Sequence, residues 1–184
     1  MNYLEFSQII KSVHVVCSPL VLTLKLDAIL FSGLNQLRQQ HFPPERSFLP
    51  AHVTLFHHLP GEQEVIIQQD LQTLCSQTAT LSLRLQRLRC LGRGVAVEID
   101  CPELVQLRTR LAQAWSIWLT PQDRQPYRPH ITIQNKVTPD AARQLYAQLN
   151  QTWQPLNGQG KGYCCGTTGM APGRKSLSSA SCSK

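Results

Sequence analysis

Two short stretches of the chain share one arrangement: AHVTLFHHL, residues 51–59, and HITIQNKV, residues 130–137. Each reads as a β-strand, favoured by its Val, Ile, Thr and Phe residues, and each sets a His two places before a Thr. Alternate residues of a strand share a face, so His52 and Thr54 point the same way, as do His130 and Thr132. Each stretch follows a Pro-containing loop, HFPPERSFLP (41–50) in one case and LTPQDRQPYRP (119–129) in the other, and each precedes a helix. With six His and twelve Thr in the chain, roughly 0.4 His-x-Thr matches arise by chance, and under about 0.1 once apolar residues must follow both His and Thr. One match reads as a hydrogen-bonded structural histidine, whereas two on matched strands read as a site.

The remaining elements fit around this pair. Residues 19–26 (PLVLTLKL) alternate as a half-buried strand, and Asp27 is placed to cap a helix running to about Gln40. Residues 62–76 read as a helix, with Val65, Ile66, Leu71 and Leu74 as its expected buried side. Residues 79–91 alternate as one strand that turns through Gly92-Arg93-Gly94 into GVAVEI as a hairpin. Residues 102–118 form an amphipathic helix with Pro102 in its first turn, and Pro139 and Asp140 open a last helix to about Gln151. The order is strand–helix–strand–helix, a hairpin, then helix–strand–helix, as if one unit occurred twice. If the two units pair about a pseudo-twofold axis, all four motif side chains converge on one cleft.

Two imidazoles and two hydroxyls suit phosphodiester chemistry. One group must activate a nucleophile and another must protonate the leaving oxygen, and imidazole titrates near neutral pH. The Thr hydroxyls can donate to the non-bridging phosphate oxygens, where negative charge accumulates. No metal or cofactor is required by this set.

The chain resembles the two-histidine phosphoesterase superfamily, in particular its bacterial 2′-5′ RNA ligase-like branch. The resemblance lies in the paired His-hydrophobic-Thr motifs, here 78 residues apart, and in the strings HFPPERSFLPAHVTLFHHLPG and LTPQDRQPYRPHITIQNKV. It covers residues 18 to 160. It implies an α+β fold of two lobes, a pseudo-twofold pair of small, mostly antiparallel sheets with helices packed outside, around a central cleft. It also implies cyclic phosphodiesterase activity or 2′-5′ RNA ligation, with His52, Thr54, His130 and Thr132 as the catalytic set. The expected substrate is an RNA terminus or a small nucleotide phosphodiester. Many relatives carry an Arg shortly after the second motif; Asn135 and Lys136 stand there in this sequence, and Lys136 is the candidate for that phosphate contact.

Tyr127 and Arg128, just before the second motif, are further candidates, since an aromatic ring and a guanidinium can stack on a base and pair with phosphate. In a regular strand His58 shares the His52 face and His57 points away, which splits the three histidines and argues against a zinc site from them. Arg84, Arg87 and Arg89 read as a solvated sheet face in preference to an RNA track. His14 and His41 have no evident role.

Charge and cysteine content narrow the setting. The net charge is +7, but residues 161–184 hold Lys161, Arg174, Lys175 and Lys184 and no acid, which leaves 14 basic and 11 acidic residues in the body, a net of +3. A mildly basic body suits a small anion or an RNA end and does not demand a duplex-binding surface. Seven cysteines without a Cys-x-x-Cys pair read as reduced thiols in a cytoplasmic protein, expected to be monomeric. No run approaches the roughly 20 apolar residues of a membrane span.

Residues 1–17 read as an N-terminal extension without a signal-peptide pattern. Residues 161–184 form an atypical tail rich in Ser, Gly and Cys. Read from the third base of the Gly162 codon, the tail permits Leu-Leu-Leu-Trp-His/Tyr-Tyr-x-Asp-Gly-Pro-Trp, which resembles the closing strand and turn of the family. The tail reads either as a disordered segment or as a frameshifted one; a frameshift would leave the fold without a native strand and make the protein an inactive relative of the family.

Overall fold

A computed structural model describes residues 17–167 and 178–181. Residues 1–16, and with them nearly all of the expected N-terminal extension, lie outside the described residues, as do 168–177 and 182–184 of the tail. Among the described residues, eight strands and four α-helices form an α+β fold. The strands are β1 (Leu20–Leu26), β2 (Val53–Leu59), β3 (Leu81–Leu85), β4 (Leu88–Cys90), β5 (Val95–Glu98), β6 (His130–Gln134), β7 (Leu156–Thr167) and β8 (Ser178–Ser181). The helices are α1 (Ala28–His41), α2 (Glu64–Gln77), α3 (Pro102–Ala114) and α4 (Pro139–Thr152).

Local chemistry sets the helix boundaries. Asp27 caps α1: its carboxylate accepts from the amides of Ile29 and Leu30 at 3.0 and 2.9 Å, satisfying donors that the first turn leaves open. Helix α1 buries Leu30, Leu34 and Arg38 on one stripe. Helix α3 starts with Pro102 and α4 with Pro139, where the missing N–H is no loss. In α2 the buried stripe is Ile67, Leu71 and Cys75. The expected Val65 and Ile66 are exposed, at 68% and 46%, because the apolar period of four falls one or two residues later.

All pairings in the sheet are antiparallel, and seven strands follow the order β3-β7-β1-β2-β6-β5-β4, with β8 on β7. The single strand expected over 79–91 is two strands. Gln86 and Arg87 interrupt it, and β3 and β4 lie at opposite ends of the sheet. The sheet therefore curls until its ends meet, as accumulated strand twist allows. Arg84 and Asp100 tie the ends together with backbone bonds of 3.2 and 2.7 Å and an ion pair of 3.0 Å. The expected β4–β5 hairpin is present, with Gly92 at φ 81 in its turn. Gly94 lets β6 close in: a Cβ there would meet the Gln134 carbonyl oxygen at 2.0 Å.

Strand β7 crosses residue 160, where the sequence placed the end of the domain. Its Tyr163 and Cys165 are buried beside β1. A strand occupies that place through residue 167.

The two halves of the sheet, β3-β7-β1-β2 and β6-β5-β4, join at one residue pair, Val53↔Ile131. This seam positions the site.

Candidate functional site

Val53 and Ile131 are both fully buried, so their flanking residues emerge on the other face. Antiparallel pairing at Val53↔Ile131 sets His52 opposite Thr132 and Thr54 opposite His130. The axis through the seam is thus a local twofold that exchanges one His-x-Thr motif for the other. All four side chains line one cavity of about 460 Å³, together with His57, Arg89, Arg108, Asp123, Tyr127 and Arg128 among others.

The two imidazoles are held identically. His52 Nδ1 lies 2.8 Å from the carbonyl oxygen of Pro50, and His130 Nδ1 lies 2.8 Å from that of Arg128. In each case the partner is two residues earlier. A carbonyl only accepts, so both rings carry their proton on Nδ1 and leave Nε2 as the nitrogen open to proton transfer. Arg89 Nη2 also stands 3.1 Å from His130 Nδ1. A guanidinium cannot accept a hydrogen bond, and Nδ1 cannot both donate to Arg128 and accept from Arg89. The shorter contact, matched at His52, fixes the tautomer, and Arg89 acts on His130 through its charge. Burial pushes both imidazoles below the ordinary histidine value. The charges of Arg38 at His52 and of Arg89 at His130 push the same way, partly opposed by the carbonyl bonds.

Both threonines are fixed through their main chains. The Tyr127 hydroxyl donates to the Thr54 carbonyl at 3.1 Å, and Arg38 Nη1 donates to the Thr132 carbonyl at 2.7 Å. No bond among the described residues occupies either Thr hydroxyl. Arg38 also donates to Leu49 O at 3.2 Å and lies 3.8 Å over the Phe42 ring. It thereby links α1, the loop before β2, and β6 across the seam. Burial of the Tyr127 phenol pushes its pKa up, so it remains a neutral donor.

Two sequence expectations about side chains change. His57, not His58, joins the cavity. The pairing of β1 with β2 shifts register between Leu20↔Leu59 and Leu22↔Phe56, and Leu55 and Phe56 are both buried. This β-bulge breaks the alternation and turns His57 to the cleft side. Lys136 is exposed beyond the end of β6, at φ 61, and does not line the cavity; the backbone enters a left-handed turn there and carries its side chain away. Tyr127 and Arg128 do line the cavity, although the Tyr127 hydroxyl is spent on Thr54.

Arg38, Arg89, Arg108 and Asp123 were not singled out from the sequence as site residues. Arg38 and Arg108 sit on the apolar stripes of their helices, at the spacing 30-34-38 and 104-108-111, and that placement was the available signal. Arg108 stacks 4.5 Å over Phe56 and donates to the Leu55 and Asp123 carbonyls, forming the cavity floor. Arg87 and Arg89, read as a solvated face, line an adjoining hollow of about 630 Å³ that also contains Tyr127 and Arg128. Among the described residues, no group of three or more His, Cys, Asp or Glu is arranged to hold a metal. No helix among them is long and apolar enough to cross a membrane.

A curled antiparallel sheet with helices against it and paired His-x-Thr strands meeting at its seam defines a two-histidine phosphoesterase-like protein. The model of the 2′-5′ RNA ligase superfamily matches residues 27–165, and the chain belongs to that superfamily. Its activity is of the 2′-5′ RNA ligase or phosphoesterase type. Among solved structures, Escherichia coli LigT complexed with 3′-AMP is similar at 21% identity and a TM-score of 0.56, covering 89% of this chain and 95% of that one. TT0787 of Thermus thermophilus is similar at 16% identity and a TM-score of 0.60, covering 88% and 94%. These likenesses are of fold. No curated protein matches the chain.

Proposed function

We propose that this protein is a metal-independent phosphoesterase of RNA ends or small nucleotides. It acts on 2′,3′-cyclic phosphates or 2′-5′ linkages, and the same groups serve 2′-5′ ligation. The observation that carries this reading is the pair of imidazoles across Val53↔Ile131, each anchored by a carbonyl two residues earlier. In hydrolysis, the Nε2 of one histidine takes a proton from water as the water oxygen bonds to phosphorus. The bond from phosphorus to one ribose oxygen breaks, and the other histidine gives that oxygen a proton. Replacing water by a ribose hydroxyl of a second RNA end gives ligation. The hydroxyls of Thr54 and Thr132 donate to the non-bridging oxygens, and Arg128 supplies a further cation at the rim. The bound 3′-AMP of LigT supports a nucleotide in this cleft, and a volume of about 460 Å³ suits a small ligand.

Both free imidazoles titrate below the usual value, so the acid partner gains its proton when the anionic phosphodiester binds, since a nearby negative charge favours imidazolium. The test is hydrolysis of a nucleoside 2′,3′-cyclic phosphate with and without chelator, by the wild type and by His52→Ala. Turnover that survives chelator and is lost in the variant, with nucleotide binding retained, is expected. Binding without turnover in the wild type would make this an RNA-end binding module instead.

A further inference from the structure

The cleft contains a third imidazole that the two-histidine chemistry leaves unused. His57 Nδ1 lies 3.1 Å from Asp123 Oδ1, and Asp123 is 1% exposed. The carboxylate also accepts from the backbone amides of His57 and His58, at 2.9 and 3.1 Å, and from the Thr120 hydroxyl at 3.2 Å. Arg108 holds the Asp123 carbonyl from below. Burial acts to raise the Asp123 pKa, but the bonds from the His57 ring and the amides outweigh it and keep the group ionised.

This assembly differs from an ordinary loop anchor in one respect. The two amides pin Asp123 to β2, and Thr120 braces the carboxylate from within its own loop. The imidazole adds a ring about half exposed, on the same cavity wall as His52 and Thr54. Its Nδ1–H is committed to a carboxylate, so Nε2 is the atom offered to the cleft. It follows Thr54 by three residues on the strand and lies farther along the same cavity wall.

We infer that His57, braced by Asp123, binds a second phosphate group of the substrate, so that the site prefers an RNA end or nucleotide bearing a further phosphate over a simple nucleoside cyclic phosphate. This deepens the phosphoesterase reading and rests on it for the placement of the first phosphate. The Nε2–H donates a charge-assisted hydrogen bond to a phosphate oxygen, and Asp123 orients the ring without touching the ligand. His57 is a binding residue and Asp123 a positioning residue.

The experiment is a calorimetric comparison of adenosine 3′-phosphate with adenosine 3′,5′-bisphosphate, ligands that contain no cyclic ester to cleave. The wild type should bind the bisphosphate about tenfold more tightly, as one charge-assisted bond implies. His57→Ala should abolish that difference, and His57→Lys, which restores a cation, should recover part of it. A purely structural role for His57 would not be rescued by lysine. A bisphosphate advantage that persists in His57→Ala, or that vanishes instead in Arg87→Ala, would overturn the inference and place the second phosphate elsewhere. Equal binding of the two ligands by the wild type would overturn it as well. Because binding is read without turnover, failure of the phosphoesterase reading shows separately, as absent hydrolysis with the bisphosphate advantage intact.

Discussion

The two sides of the seam carry the same motif in different surroundings. On the β2 side, His52 stands near Arg38, a buried guanidinium that spends its donors on the carbonyls of Leu49 and Thr132. On the β6 side, His130 stands against Arg89, which pairs with Glu98 at 3.6 Å and whose buried Nε has no partner among the described residues. Both arginines bias the neighbouring imidazole toward its neutral form. One does so as a fixed strut of the fold, the other as a side chain lying on the imidazole itself. What is shared, the carbonyl two residues before each histidine and the facing threonine, is what phosphoryl chemistry needs. What differs is how each half supports it.

The sharpest way to break this symmetry is to remove one imidazole. His52→Ala and His130→Ala should each lower kcat/KM on a cyclic phosphodiester by about 10² to 10⁴, measured by steady-state hydrolysis. The double variant should be little worse than either single one, because the two groups act as a unit. A large effect from only one histidine would mean that the twofold arrangement is not functional.

Stability should separate the two arginines. Arg38→Met removes two bonds from a charged donor and its stacking on Phe42, and should lower unfolding free energy by about 2–4 kcal/mol. Arg89→Met, with one long ion pair at stake, should lose less than about 1 kcal/mol. Urea denaturation with constant slope reads both, and equal losses would erase the distinction between strut and rim.

A smaller effect sharpens the electrostatic side. Arg89→Gln removes the cation beside His130, so the pKa of that imidazole should rise toward the ordinary value while His52 keeps its own. One limb of the kcat/KM profile should therefore move to higher pH and the other stay in place. Movement of both limbs together would show that Arg89 acts on the whole cleft.

Much of this was legible in the chain. The His-x-Thr strands announce themselves because a period of two places like residues on one face. The helices follow from Asp27, Pro102 and Pro139 at their starts. What escaped depends on pairing that no single segment encodes. Consecutive apolar Leu55 and Phe56 hinted at a bulge, but only the register with β1 shows that the bulge swaps His57 for His58. The alternation of residues 79–91 slips at Gln86-Arg87, but only the curl of the sheet shows that Leu81–Leu85 and Leu88–Cys90 go to opposite ends. Lys136 sits near the motif in sequence and is turned away by one left-handed residue. Arg38 and Arg108 occupy apolar positions of α1 and α3, where a charge is tolerated only because carbonyls and aromatic rings receive it.

The most direct test of a paired-imidazole site is the pH dependence of kcat/KM for hydrolysis of a nucleoside 2′,3′-cyclic phosphate by the wild type, in the presence of chelator. In the proposed mechanism the reacting complex carries one proton on the pair, and burial pushes both imidazoles of the free protein below the ordinary histidine value. The expected result is a bell with its maximum below about pH 6.5, falling on the alkaline side as the acid partner loses its proton. A profile with one limb only, a maximum well above neutrality, or turnover abolished by chelator would contradict it.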